Sequence, residues 1–230
     1  LSTWGRIDVL INNAGVSYRS VVEHMDVESE SEQMNTNYWG PMMLARMVIP
    51  GMRDRGRGKI INVSSVSGVI GMPTMASYSA SKHALEGASE ALWYELRPLG
   101  VNVTVVRPGF INSDGHSHVA MAKKAQIASQ LTGPYADFYN YMGGFVGRLM
   151  RLSPSTSESV ARQILGVIQK QNPSLWINGT PDAGVLLALK KIMPQNMFNQ
   201  TMHRFYSLAA RWGSGYSRAS QRRLRPSILR

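Results

Sequence analysis

The chain has 230 residues, of which 43% are hydrophobic, and a formal net charge of +11. That length and composition are typical of one globular domain with a substantial core. The absence of cysteine excludes disulfides, thiolate metal sites and a cysteine nucleophile, and it fits a reducing intracellular compartment. No apolar run approaches the length of a membrane-spanning helix, and no signal peptide is visible.

Apolar runs rich in β-branched residues alternate with helical patterns along the chain. These patterns predict strands at 7–11, 59–63, 101–106 and 175–177, and helices at 29–54, 77–96 and 157–171. Because short connections join them, the sequence predicts an α/β domain built on a parallel sheet.

Polar turn residues follow each of the first three predicted strands. The clusters are Asn12-Asn13-Ala14-Gly15, Ser64-Ser65 and Arg107-Pro108-Gly109. Ligands bind at the carboxyl ends of parallel strands, so three such clusters indicate a site at one edge of the sheet. Taken singly, each cluster is also ordinary turn chemistry.

Tyr78 and Lys82 are four residues apart within the predicted helix 77–96, so both side chains lie on one helix face. An ammonium beside a phenol favours the phenolate and lowers the tyrosine pKa toward neutrality, where a general acid/base works best. Such a pair also occurs by chance, and it decides nothing alone.

Aromatic residues, Met and Gly are frequent in the segment 110–152. We expect helices there that cover the open rim of the sheet as a substrate lid. The sequence assigns 1–182 to one domain that includes this lid, and 183–230 to a C-terminal extension that is apolar and then basic.

From about Gly5 to Ser113 the chain resembles the short-chain dehydrogenases/reductases. The resemblance is carried by Asp8-x-Leu10-x-Asn12-Asn13-Ala14-Gly15, Asn37-Tyr38-Trp39-Gly40, Asn62-Val63-Ser64-Ser65, Tyr78-x-x-x-Lys82 and Pro108-Gly109, with Ser65 thirteen residues before Tyr78. It implies a Rossmann-like, doubly wound parallel sheet and an enzyme that interconverts an alcohol and a ketone or aldehyde with NADP or NAD.

The resemblance also implies roles for four catalytic residues. Tyr78 would exchange a proton with the substrate oxygen, and Ser65 would donate a hydrogen bond to that oxygen. Lys82 would keep the phenol acidic and bind the nicotinamide ribose. Asn37 would hold a water that links Lys82 to solvent.

A second set of residues would contact the cofactor, together with Tyr78 and Lys82. The resemblance places Asn13, Ala14 and Gly15 along the cofactor. It places against the nicotinamide a second group, which consists of Pro108, Gly109, Ile111 and Ser113.

The sequence departs from the family at its beginning. No glycine-rich turn of the pyrophosphate-binding kind occurs, so the chain resembles only the second half of the Rossmann sheet, from the fourth strand onward. Either the record is truncated or the chain is a natural remnant. The alternative function is therefore a non-catalytic binding or assembly subunit. The choice between NADP and NAD cannot be read, because the residue that makes it belongs to the absent half.

Within the family, the residues from Ser81 to Leu92 and the run Asn178-Gly179-x-Pro181-Asp182-Ala183 look like the branch that acts on steroids, retinoids and other lipid-like compounds. The apolar segment after Gly109 agrees with a hydrophobic substrate, although such residues are also frequent in cores.

Two predicted helices together resemble the paired-helix dimer surface of the family, so a homodimer or tetramer is expected. Small residues on one helix permit close approach of a partner, and methionines supply apolar surface on the other. They are Ala84, Gly87, Ala88 and Ala91, and then Met34, Met42, Met43 and Met47.

The positive charge is concentrated at the C-terminal end, where residues 183–230 contain nine Lys and Arg and no acidic residue. Because the excess is local, no nucleic-acid partner is expected. Two interpretations stay open. With apolar residues such as Leu187 and Phe198, the tail contacts an anionic membrane surface, so that the protein is cytoplasmic or peripheral on a membrane. Otherwise those apolar residues cover the substrate pocket and the arginines are solvated.

Other reaction classes lack their motifs. The sequence contains no G-x-S-x-G elbow, no H-E-x-x-H and no P-loop. His116 and His118 have no acidic or cysteine partner nearby except Asp114, so no metal site is predicted.

Overall fold

The structure is a computed structural model that describes residues 3, 5–113, 119–131 and 135–209. Its centre is a four-stranded parallel sheet in the order β1-β3-β4-β6. The strands are β1 (Val9–Asn12), β3 (Gly58–Val63), β4 (Val101–Arg107) and β6 (Trp176–Asn178). Two further short strands, β2 (Tyr18–Arg19) and β5 (Ala120–Met121), form a separate parallel pair.

Eight α-helices connect or follow the strands in the described part of the chain. They are α1 (Val27–Met34), α2 (Gly40–Asp54), α3 (Ala76–Leu96), α4 (Lys123–Ser129), α5 (Ala136–Leu152), α6 (Ser157–Gln169), α7 (Pro181–Ile192) and α8 (Gln195–Ala209). A π-helical turn over Asn35–Trp39 joins α1 to α2, so the predicted long helix 29–54 is present but irregular in its middle.

Helices cover both faces of the sheet because successive strand residues point to opposite sides. Ile60 of β3 packs in a core with Met52 of α2 and Leu96 of α3. Its neighbour Ile61 packs on the other face with Val160 of α6. This arrangement confirms the predicted Rossmann-like α/β fold.

Local signals explain where the central elements end. Gly100, with φ of 77°, closes the turn between α3 and β4 in the left-handed region. A β-carbon there would lie 2.0 Å from the Gly56 carbonyl oxygen, so only glycine fits. The predicted strand at 101–106 therefore begins where the sequence places it.

The C-terminal helices pack against the rest of the domain. Ala183 of α7 and Phe198 of α8 are buried with Val66 and Ile70, and Tyr206 of α8 is buried with Met142 of α5. The predicted boundary after residue 182 thus falls inside a helix. Phe198 and Tyr206 therefore pack inside the domain and are not exposed for contact with a membrane. The basic residues from 211 to 230 lie outside the described residues.

Candidate active site

Buried amides tie the strands together at the edge where the polar clusters lie. Asn12 and Asn62 are paired in register, and the Asn12 Nδ2 donates to Asn62 Oδ1 at 2.7 Å. Asn62 in turn donates to the Ser89 hydroxyl of α3 at 2.8 Å. These buried hydrogen bonds fix α3 against the carboxyl ends of β1 and β3.

Ser65 and Tyr78 meet just beyond this edge. Ser65 follows β3, and its hydroxyl oxygen accepts a hydrogen bond from the Ser67 backbone N–H at 3.1 Å. Tyr78 lies in the first turn of α3, and Ser65 is near enough to influence the pKa of its phenol. The two residues that the sequence places in one site line the wall of the same cavity.

The electrostatics of Tyr78 differ from the sequence prediction. Burial raises the pKa of the Tyr78 phenol above its usual value of 10.0, and the nearby Ser65 hydroxyl offsets only part of that shift. Lys82 is not close enough to reverse it, because its Nζ lies 5.8 Å from the ring centroid and donates to the Val63 carbonyl at 2.9 Å. The expected lowering of the tyrosine pKa by Lys82 is thus wrong for this structure.

Lys82 itself is buried, with 4% of its surface exposed. Burial lowers the pKa of its ammonium to about 8, and the negative charge of Glu86 opposes part of the shift. Gly15 lies beside it, since a β-carbon at Gly15 would be 3.6 Å from Lys82 Nζ and 3.2 Å from Asn37 Oδ1. Lys82, Asn37 and the loop after β1 therefore meet at one point.

Asn37 lies in the π-helical turn and is fully buried. Its Oδ1 accepts from the Val16 N–H at 2.9 Å, and its Nδ2 donates to the Val16 carbonyl and to the Ser81 hydroxyl. These contacts fix the loop after β1 on α3, and π-helical turns are frequent at functional sites. The water that would link Asn37 to Lys82 stays a prediction.

The buried charge of Lys82 gives a stability prediction. The folded protein releases this proton near pH 8 and the unfolded chain near pH 10.5, so stability rises with pH between those values. We expect Lys82→Met to remove this rise and to gain on the order of 3 kcal/mol at neutral pH. Urea unfolding at about pH 7 and about pH 9.5 measures the difference. Equal pH dependence in both proteins would contradict the prediction.

The predicted cofactor residues fall into two groups. Asn13, Ala14 and Gly15 are exposed in the loop after β1, above Lys82. Gly109, Ile111 and Ser113 line a cavity with Ser65 and Tyr78; their neighbour Pro108 is buried and packs against Gly179. The structure thus places Lys82 and the serine–tyrosine pair between the two groups.

Thr180 and Asp182 hold the second group in place. The Thr180 hydroxyl accepts from the Gly109 N–H at 2.8 Å, and an Asp182 carboxylate oxygen accepts from the Phe110 N–H at 2.9 Å. A β-carbon at Gly109 would lie 2.0 Å from that carboxylate, so glycine permits the contact. In the sequence, Asp182 is recognisable only as part of a family pattern, and its contact with the Phe110 N–H is visible only in the fold.

A buried ion pair lies behind Lys82. The Arg107 guanidinium makes two hydrogen bonds to the Glu86 carboxylate, at 3.0 and 2.7 Å, and lies 4.9 Å from the ring centre of Trp176. Glu86 is one turn after Lys82 on α3, and its negative charge acts on the Lys82 ammonium. Its bonds to Arg107 also join α3 to β4. Sequence reasoning missed this pair.

The cavity beside Ser65 and Tyr78 has a volume of about 320 Å³. Its walls are largely apolar and include α5, which belongs to the segment predicted as a lid. Lining side chains include Val66, Met72, Met75, Phe110, Ile111, Met142, Val146 and Met150. A larger hollow of about 530 Å³ lies at the opposite ends of the strands, beside Asp8 and Lys59, away from the two hydroxyls.

Thr74 was also missed from the sequence. It lies in the cavity wall just before α3 and has a φ of 62°, which is rare for a β-branched residue. Its buried hydroxyl has no hydrogen-bond partner among the described residues. Such strain is found most often at ligand sites.

Two other expectations concern metal and membrane. The described residues contain no cluster of three potential metal ligands, and His116 and His118 lie outside them. Among the described helices, none combines the length and the apolarity needed to cross a bilayer.

A parallel α/β sheet with serine, tyrosine and lysine at its carboxyl edge defines the class of α/β oxidoreductases. Residues 1–124 match the family model described as short chain dehydrogenase. The chain is 36% identical to a 3-ketodihydrosphingosine reductase of Bacteroides thetaiotaomicron, over 90% of this chain and 76% of that protein. The chain therefore belongs to the short-chain dehydrogenase family and is an oxidoreductase of that family.

Further relatives and solved structures agree with this assignment. A dehydrogenase/reductase SDR family member 7B of Xenopus tropicalis is 44% identical, over 48% of this chain and 36% of that protein. A Streptomyces avermitilis short-chain dehydrogenase aligns with a TM-score of 0.65 at 25% identity, over 92% of this chain and 70% of that one. A Burkholderia phymatum protein in complex with NAD shares the fold, with a TM-score of 0.68 at 22% identity, over 87% of this chain and 69% of that one.

Proposed function

We propose that the protein interconverts an alcohol and a ketone or aldehyde on a hydrophobic, lipid-like substrate, with NADP or NAD as cofactor. The observation that carries this proposal is that Ser65 and Tyr78 lie together in the wall of an apolar cavity. Two hydroxyl donors that converge on one space suit a substrate oxygen that gains or loses a proton.

Tyr78 is the proposed general acid/base. Because burial raises the pKa of its phenol, the side chain is protonated at neutral pH and can donate a proton to an oxygen that becomes negative during reduction. In the oxidative direction the same group takes the proton back. Ser65 donates a hydrogen bond to that oxygen and stabilises the developing charge.

Lys82 is proposed to place a positive charge near this reaction. Its ammonium has a pKa of about 8 and is therefore mostly charged at neutral pH. Its described hydrogen bond to Val63 uses one of its three N–H donors. The other donors suit the hydroxyl groups of a ribose.

The residues present fit the nicotinamide–ribose part of the proposed cofactor. The exposed loop 13–15 passes over Lys82. Because residue 15 is a glycine and has no side chain, the approach to Lys82 and Asn37 stays open. Ile111 and Ser113 line the cavity next to Tyr78. A bound nicotinamide dinucleotide supplies or accepts the hydride. Similar structures in complex with NAD and with NADP support either form.

A hydrophobic substrate is supported by the cavity and by one relative. Met142, Val146 and Met150 of α5 supply an apolar wall opposite the hydroxyls. The Bacteroides relative is named for a reductase of a sphingoid ketone.

The function is tested with the full-length protein. We expect the absorbance of NADPH or NADH to fall when a long-chain alkyl ketone is added, and to fall more slowly with a short, polar ketone. Absence of turnover with either cofactor, in protein that binds the ketone, would favour the alternative of a non-catalytic binding subunit.

We further propose a homodimer formed through exposed apolar residues of α2 and of the turn that precedes it. Trp39, Met43 and Met47 expose 46%, 60% and 68% of their surface, whereas Met42 is buried and belongs to the core instead. We expect Met47→Glu to weaken dimerisation at least tenfold in sedimentation velocity, because a charge would be buried at the interface. Met197→Glu on α8, also exposed, is the control. A monomeric wild type at micromolar concentration would contradict the proposal.

Peripheral membrane contact through the basic tail is proposed on charge alone. Ile192, Met197 and Phe205 of the preceding helices are exposed and could extend such a surface. Sedimentation with anionic and neutral vesicles at low and high salt tests it, and equal recovery with both vesicle types would contradict it.

A further inference from the structure

Among the described residues in the wall of the cavity that contains Ser65 and Tyr78, Arg19 is the charged one. It ends the short strand β2 and is partly buried. No ion pair or side-chain hydrogen bond joins its guanidinium to any residue that the structure describes. The cavity thus has proton-exchanging hydroxyls and, in the same space, an uncompensated cation.

The surroundings of Arg19 make this cation costly. Burial lowers the pKa of the guanidinium below its usual value of 12.5. A charge withdrawn from water destabilises the fold unless a partner of opposite charge compensates it. Glu32 accepts from the Tyr18 hydroxyl and Glu30 from Ser77, and neither carboxylate bonds to the guanidinium.

The helix α5 leaves room for the guanidinium. A β-carbon at Gly143 would lie 2.7 Å from the Arg19 Nη1, so glycine at this position lets the side chain lie against the helix. The next residue, Gly144, has nothing within 4 Å of its β-carbon position. Gly143 therefore faces Arg19 and leaves space for its guanidinium, whereas Gly144 does not face it.

We propose that Arg19 binds an anionic oxygen group of the substrate, a carboxylate or a phosphate, while Ser65 and Tyr78 bind its carbonyl or hydroxyl oxygen. The substrate is then an amphiphile: its apolar part contacts Met142, Val146 and Met150, and its anionic group meets the planar guanidinium, which binds such groups in a bidentate manner. This inference rests on the proposed function for the role of the two hydroxyls, whereas the anion site does not depend on turnover.

Calorimetric binding to the full-length protein without cofactor tests the proposal. The probes are straight-chain alkyl ketones that end in a carboxylate, their methyl esters, and the matching alkyl phosphates. We expect the methyl esters to bind about ten- to a hundredfold more weakly than the anion that the site prefers, as for other hydrogen bonds to charged groups. Preference for carboxylate over phosphate, or the reverse, identifies the anion.

Two variants connect the preference to Arg19. Arg19→Met should bind acid and ester equally. Gly143→Ala should reduce the preference by displacing the guanidinium, whereas Gly144→Ala, the same change one residue later, should keep it. If wild-type protein binds acid, phosphate and ester equally, or if Arg19→Met keeps the preference, the inference is wrong. Anion preference without any turnover would leave the inference intact and overturn the proposed oxidoreductase reaction.

Discussion

Tyr78→Phe is expected to lower the turnover rate of the full-length protein by about 10²- to 10⁴-fold, the usual contribution of a general acid/base. The substitution keeps the aromatic ring and its packing in α3, and it removes the hydroxyl from the cavity that Tyr78 shares with Ser65. Cofactor affinity should change little, because the ring stays in place. Steady-state rates and fluorescence titration with the cofactor measure the two quantities separately.

Tyr94→Phe is the matched control for this experiment. Tyr94 lies on the same helix, is 61% exposed, and its hydroxyl contacts only the exposed Glu90 among the described side chains. We expect its rate to equal that of the wild type. If Tyr78→Phe retained more than about a hundredth of the wild-type rate, Tyr78 would not be the general acid.

The sequence was sufficient for elements whose signals are local. β-branched runs ended by turn residues located β3 and β4 to within one residue. Tyr78 and Lys82 could be placed on one face of α3 because helical spacing fixes that geometry. The strand β2 was missed, since two residues carry no periodicity and the pair forms only when the distant β5 docks.

The site shows the same limit. Ser65 and Tyr78 were recognisable because their residue types and spacing match a motif of the family. The contacts of Thr180, Asp182 and Arg107 join residues far apart in sequence, and only the tertiary packing reveals them. The pKa of Tyr78 was mispredicted for a related reason: spacing gives the proximity of Lys82 but not the burial that dominates the shift.

Glu86→Gln is expected to lower the free energy of unfolding by about 3–5 kcal/mol, as for other buried pairs that lose one partner. Glu86 and Arg107 have side-chain exposures of 9% and 16%, so the remaining guanidinium would be left largely without water or counter-charge. Glutamine keeps the size of the side chain, and the loss therefore reports the charge. Urea unfolding at neutral pH measures it.

The exposed pair Arg162 and Glu158 on α6 provides the control, because both side chains are 73% exposed. Glu158→Gln should cost less than about 1 kcal/mol. The double variant Glu86→Leu with Arg107→Met should be more stable than Glu86→Gln, since it removes the guanidinium that the single variant leaves unpaired. Glu86 also raises the pKa of Lys82, so its loss should lower that pKa further below about 8 and shift the alkaline decline of activity to lower pH. A cost of less than 1 kcal/mol for Glu86→Gln together with an unchanged pH profile would show that this pair supports neither the fold nor the site.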